Sequence, residues 1–198
     1  MILNHLWGLY ASPRSEWQEI DRNHENYLYA LSHIAIIALI PSLCSYYASA
    51  HLGWSIGAGD TIRLSQDSAL FMALCMYAGL VVGVACLAMM IHELAEVFDA
   101  KPSITQALEL AAYTSTPLFM VGFACLYPEL WFISAVGLVG IAYSVYLLYS
   151  GVPILMHIPE EKGFIYASTV VTCGMVLLSV LMAMSVILLG SGSGITYI

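Results

Sequence analysis

Charge is what this sequence has least of. Only 9% of its 198 residues are Asp, Glu, Lys or Arg, roughly a third of the share in an ordinary soluble domain. Lys and Arg number five in all, and the net charge is −8. That balance argues against a nucleic-acid partner, which needs clustered cations to meet phosphates. Cysteine is scattered and odd in number: Cys44, Cys75, Cys86, Cys125 and Cys173 each lie inside an apolar run. No disulfide framework or C-x-x-C site follows from that pattern, and the default role is small core filler. The chain also lacks a basic start followed by an apolar stretch and a small-residue cleavage site, so no removable signal is expected. With no G-x-S-x-G elbow, no phosphate loop and no H-E-x-x-H, enzyme is the weakest class, and no cofactor is expected.

Long apolar runs take the place of charge. Hydrophobic residues make up 61% of the chain and mean hydropathy is +0.86. Crossing about 30 Å of hydrocarbon takes about 20 apolar residues, and five runs meet that length. The expected fold is all-α, a polytopic transmembrane bundle of five spans with an N-terminal interfacial amphipathic helix. Residues 1–26 form the interfacial segment, 27–189 the five-span domain and 190–198 a short uncharged tail. Four spans are expected at 27–47, 69–91, 130–150 and 164–189. Between the second and fourth, an amphipathic piece at 103–112, capped by Ser103 and Gln106, leads into a third span containing Thr114, Ser115, Thr116 and Pro117. Trp54 stands where an interfacial anchor belongs.

The stretch YSVYLLYSGVPILMHIPEEKG, from Tyr143 to Gly163, organises the rest. Tyr143, Tyr146 and Tyr149 recur every three residues along one slowly drifting helical face. The helix is expected to end at Gly151, Val152 and Pro153, because Pro153 and Pro159 bracket a link that cannot continue it. Ser12 as N-cap with Pro13 at the first helical position starts the N-terminal helix, whose Trp17 and Ile20 share a face. Gly79 and Gly83 form a G-x-x-x-G that lets two helix backbones approach closely.

These motifs resemble the Yip (Ypt-interacting protein) family of multi-span membrane proteins. The Y-x-x-Y-L-L-Y-x-G-x-P-x-L-M block matches Tyr143, Tyr146, Tyr149, Gly151 and Pro153. A P-x-x-x-W motif matches Pro13 and Trp17, and an A-Y-x-x-x-P segment matches Tyr113 and Pro117. The resemblance implies a five-span protein with a cytoplasmic N-terminal segment. In eukaryotic members it implies links to Rab-type GTPases and vesicle traffic, through a long N-terminal domain that this sequence does not show. The compact bacterial form is the nearer likeness, which implies the bacterial inner membrane.

Two functional classes follow. The leading one is an interaction or membrane-organising protein without catalytic activity, with the lipid bilayer, other membrane proteins or a second copy as partners. It rests on the close-packing glycines and the lack of paired midplane charge. The alternative is a transporter or channel for a small solute or ion, such as protons or divalent cations. On that reading His33, Thr114, Ser115, Thr116 and Tyr143 line a polar cavity beside the breaks at Pro41, Pro117 and Pro153. His92, Glu93 and Glu96 are low-prior metal candidates at its mouth, since H-E-x-x-E is not a zinc-protease pattern and otherwise reads as a solvated helix end. Lys and Arg set the expected orientation. Arg14, Arg22, Lys101 and Lys162 fall on one side and only Arg63 on the other, so the N-terminus is expected in the cytoplasm and the C-terminus opposite.

Overall fold

A computed structural model describes residues 8–23, 26–53 and 62–190, except the side chains of 188–190. Trp54 and the tail at 191–198 lie outside the described residues. Among those described there is no strand, and seven α-helices of nine residues or more follow in order. They are α1 (Pro13–Asn23), α2 (Tyr27–Ile37), α3 (Leu39–Tyr47), α4 (Gln66–Ala95), α5 (Ile104–Met120), α6 (Leu130–Leu155) and α7 (Glu160–Gly190). Five stretches are long and apolar enough to cross a membrane: Tyr27–Leu52, Gln66–Phe98, Ile104–Leu126, Leu130–Leu155 and Glu160–Ile187.

The first span is broken where its sequence breaks the backbone ladder. Pro41 has no N–H for the carbonyl one turn earlier, and α2 gives way to α3 at Ala38. Ser42 Oγ donates to the Ala38 carbonyl (2.9 Å), and Tyr77 of α4 donates to the Ala35 carbonyl (3.1 Å). The span then runs past residue 47 through a π-helical turn, Ala48–Leu52, which Gly53 closes at φ 75°. A Cβ on Gly122 would lie 2.4 Å from Pro41 Cα, so the kinked span and the short 3-10 stretch Val121–Leu126 cross at backbone contact.

Besides the first span's run past residue 47 and a last helix that starts at Glu160 rather than 164, three more spans differ from the sequence-based expectation. The second span starts at Gln66, behind an N-cap in which Ser65 accepts the Ser68 N–H, and reaches Ala95, so His92 and Glu93 belong to the helix. The piece at 103–112 is continuous with the third span. The Ser103–Gln106 capping box forms as expected, and one helix runs from Ile104 through Pro117. Pro117 does not stop it: the missing N–H frees only the Tyr113 carbonyl, and on the turn before it Thr114, Ser115 and Thr116 donate to the carbonyls of Leu110, Ala111 and Ala112. The fourth span likewise passes Gly151 and Pro153 and ends at Leu155. A proline in the last turn removes only one bond, and the chain is turned instead by His157 at φ 52° and by Pro159.

Helix α5 is the centre of the bundle. Two thirds of its span window is buried (67%), against 11% for α6 and 6% for α7. The exposed faces of α6 and α7 are largely apolar, with Leu138, Val139, Val176 and Ile187 among the residues on them. The G-x-x-x-G pair is used inside the chain, since Leu181 of α7 lies over both Gly79 and Gly83.

Candidate functional site

The Tyr143 to Gly163 stretch forms the end of the bundle where α1, the α4–α5 link, α6 and α7 meet. Its centre is Gly151. A Cβ there would lie 2.7 Å from Trp17 Cε2 and 2.9 Å from Leu110 Cδ1, so only glycine lets the indole of α1 reach the α6 backbone. Trp17 is fully buried and donates its indole N–H to Ser150 Oγ at 3.1 Å. The apolar face of the amphipathic helix, Trp17 and Ile20, is thus covered by protein. One residue pair on, Pro153 is packed against Gly163, where a Cβ would come within 2.8 Å of the proline ring.

The three tyrosines have separate tasks. A step of three residues leaves about 60° of drift on a helix of 3.6 residues per turn. Tyr143 therefore faces the stretch before α1, stacking on Tyr10 (5.2 Å, 7°) and donating to the Leu9 carbonyl (2.9 Å). Burial, then the Tyr143 phenol, pushes the Tyr10 phenol above its ordinary value. Tyr149 meets Ser168 of α7 at 2.8 Å. Tyr146, between them, is exposed to the hydrocarbon.

Polar side-chain contacts fasten the link to its neighbours. Lys162 Nζ lies 2.6 Å from Asp99 in the α4–α5 link, His157 Nε2 lies 3.0 Å from Asp21 of α1, and Arg14 of α1 lies 3.8 Å from Glu160. The hydrogen bond from Lys162, then its charge, holds the Asp99 carboxyl below the usual range. Gln106 of the capping box donates to the Leu155 carbonyl (3.3 Å), and Tyr166 donates to the Ile91 carbonyl while stacking on Phe98.

From Trp17 the contacts continue inward. Tyr113 meets the indole edge-on (6.2 Å, 81°) and lies against His33 (4.7 Å). His33 Nε2 is 3.0 Å from Thr116 Oγ1. The Thr116 hydroxyl also lies 3.0 Å from the Ala112 carbonyl, so it bridges His33 to the α5 backbone. His33 is completely buried, and Glu109, one turn before Tyr113 on α5, is 1% exposed.

Trp17, Tyr113, Tyr143, Tyr149, Gly151 and Pro153 are joined, directly or through one neighbour, into this assembly, and Pro13 is the first residue of α1. The polar residues do not form the single cavity expected of them. Thr116 turns to His33, Tyr143 to Leu9, and Thr114 and Ser115 to a different space, a cavity of about 130 Å³ among α4, α5, α6 and α7. Its wall is aliphatic, including Leu87, Leu148, Val171 and Leu178, with Ser144 Oγ buried there without a hydrogen-bond partner. His92 is half-buried on the last turn of α4, with Glu93 and Glu96 exposed. Among the described residues no group of three or more His, Cys, Asp or Glu side chains is placed to hold a metal ion.

Glu109 joins the buried polar residues although no motif singles it out: the signal in the sequence is a carboxylate in an otherwise apolar run, and its burial follows from the helix Ile104–Met120 including it.

The family model described as the Yip1 domain matches residues 7–181. The chain is 35% identical over 191 residues to "Inner membrane protein YohC" of Escherichia coli, in strains K12 and CFT073 alike, covering 96% of this chain and 98% of that protein. No solved structure matches.

Proposed function

The chain belongs to the Yip1-domain family of membrane proteins, and on that premise we propose that it is an inner-membrane protein that organises its surroundings through contact, without catalysis. The observation carrying this reading is the character of the interior. The space among the four later spans is lined by aliphatic side chains, and Thr114, Ser115 and Thr116 donate their hydroxyl protons to their own helix. Such a core offers no wet path to a solute. The two outermost spans, α6 and α7, present their apolar faces outward. On α6, nothing lies within 4 Å of a Cβ at Gly137, which leaves room for another helix. Photocrosslinkers at Leu138 and Ile141 in native membranes test the reading. Protein adducts, to a second copy or to another membrane protein, are expected, and their absence from both positions counts against it.

Transport of protons or divalent cations is the second reading, favoured by the burial of His33 and Glu109 on adjacent helices. Its signature is flux that depends on both side chains. The N-terminus is assigned to the cytoplasm and the C-terminus to the opposite side, on the four-to-one distribution of Lys and Arg.

A further inference from the structure

Between α1, α6 and the start of α7 runs a groove of about 310 Å³. It lies beside the last turns of α6 and the first turn of α7, where a span emerges from hydrocarbon into the headgroup layer. Its floor is apolar, formed by Pro153, Ile154 and Phe164, and its mouth holds one cation and one anion, Arg14 and Glu160, 3.8 Å apart and both largely exposed. A groove with an apolar floor and a charge of each sign at the rim fits an amphiphile carrying both signs.

Hydroxyl protons decide which amphiphile. Ser150 donates to the Leu147 carbonyl (2.9 Å) while accepting from Trp17, so the lone pair left to it can only accept. Ser168 Oγ lies 2.8 Å from both the Phe164 carbonyl and the Tyr149 hydroxyl, and the Tyr149 oxygen keeps a lone pair that can accept from an incoming donor. With the Glu160 carboxylate these make three acceptors on the wall, Gln18 adds an amide that can donate or accept, and Arg14 is the one cation among the lining residues.

We propose that this groove binds the headgroup of a phosphatidylethanolamine molecule of the bilayer. Its ammonium N–H groups face Glu160, Tyr149 and Ser150, its phosphate faces Arg14, and the first part of an acyl chain lies on Phe164 and Ile154. An anionic glycerol headgroup would set its charge beside Glu160 with no ammonium to offset it. A trimethylammonium headgroup has the right charges but no N–H for the acceptors. The lost donors are hydrogen bonds to charged groups, whose removal weakens binding about tenfold.

The test is native mass spectrometry of the full chain, delipidated in detergent and offered equal amounts of dioleoyl phosphatidylethanolamine, phosphatidylcholine and phosphatidylglycerol. The expected result is an ethanolamine-lipid adduct about tenfold above the other two. Arg14→Gln is expected to lower all phospholipid adducts, and Glu160→Gln or Tyr149→Phe to erase the preference for ethanolamine over choline. Equal or greater binding of phosphatidylglycerol by the unaltered chain overturns the proposal without any need for a variant. A preference that survives both Glu160→Gln and Tyr149→Phe, in protein with unchanged thermal unfolding, also overturns it. Displacement of the lipid by soluble phosphoethanolamine at equal concentration would overturn the assignment to a bilayer lipid.

Discussion

The Trp17 indole N–H meets Ser150 Oγ at 3.1 Å across 133 residues of sequence, and the ring occupies the space that a side chain at position 151 would need. That pairing fixes the amphipathic helix to the fourth span. Trp17→Ala removes both the ring and the bond and is expected to cost about 3–5 kcal/mol. Trp17→Phe keeps most of the packing and is expected to cost about 1 kcal/mol. Equilibrium unfolding in mixed micelles reads both, and limited proteolysis within 13–23 reports the release of α1. Equal effects of the two variants would deny the ring its role.

Glycines at 151 and 137 sit on one helix in opposite circumstances. Gly151→Ala forces Trp17 and Leu110 aside and is expected to destabilise by about 1–3 kcal/mol. Gly137→Ala meets nothing within 4 Å and is expected to stay within about 0.5 kcal/mol. The same unfolding measurement compares them, and a reversed order would contradict the packing.

Acid weakens the fastening of the α6–α7 link. Because Lys162 holds the Asp99 carboxyl below its ordinary value of 3.8, the pair stabilises the fold above that pH and its contribution is lost as pH falls below it through the depressed folded value. Both partners are exposed, so the effect is small. Lys162→Met is expected to flatten the acid limb of the melting temperature against pH. An acid limb identical in the variant would assign the loss to other groups.

Much of this was legible in the sequence, for identifiable reasons. Five spans followed from apolar run length, and the Ser103–Gln106 cap and the prominence of the Tyr143 to Gly163 stretch followed from local chemistry. The helix end expected at Gly151 to Pro153 was misread because proline predicts a lost bond, whereas a proline in the last turn removes only one and the helix runs on to Leu155. The grouping of His33 with Thr116 but not with Thr114, and the inward aim of Glu109, depend on how α2 and α5 pack, which no spacing within one helix reveals. Gly79 and Gly83 announced a close contact, and only the fold shows that Leu181 of the same chain makes it.

Orientation has a direct check. A cysteine introduced at Ser103 is expected to react with an impermeant maleimide only from the cytoplasmic side, and one at Ser191 only from outside. Labelling of both from one face would contradict an odd number of crossings.

The most direct measurement is ion flux in sealed vesicles containing the purified chain, read by dyes for protons and for divalent cations. The expected result is flux no greater than in vesicles without protein, for the unaltered chain and for His33→Ala and Glu109→Gln alike, because the space among the four later spans is lined mainly by aliphatic side chains. Flux through the unaltered chain that falls with either substitution would contradict the organising role and make His33 and Glu109 part of a transport path.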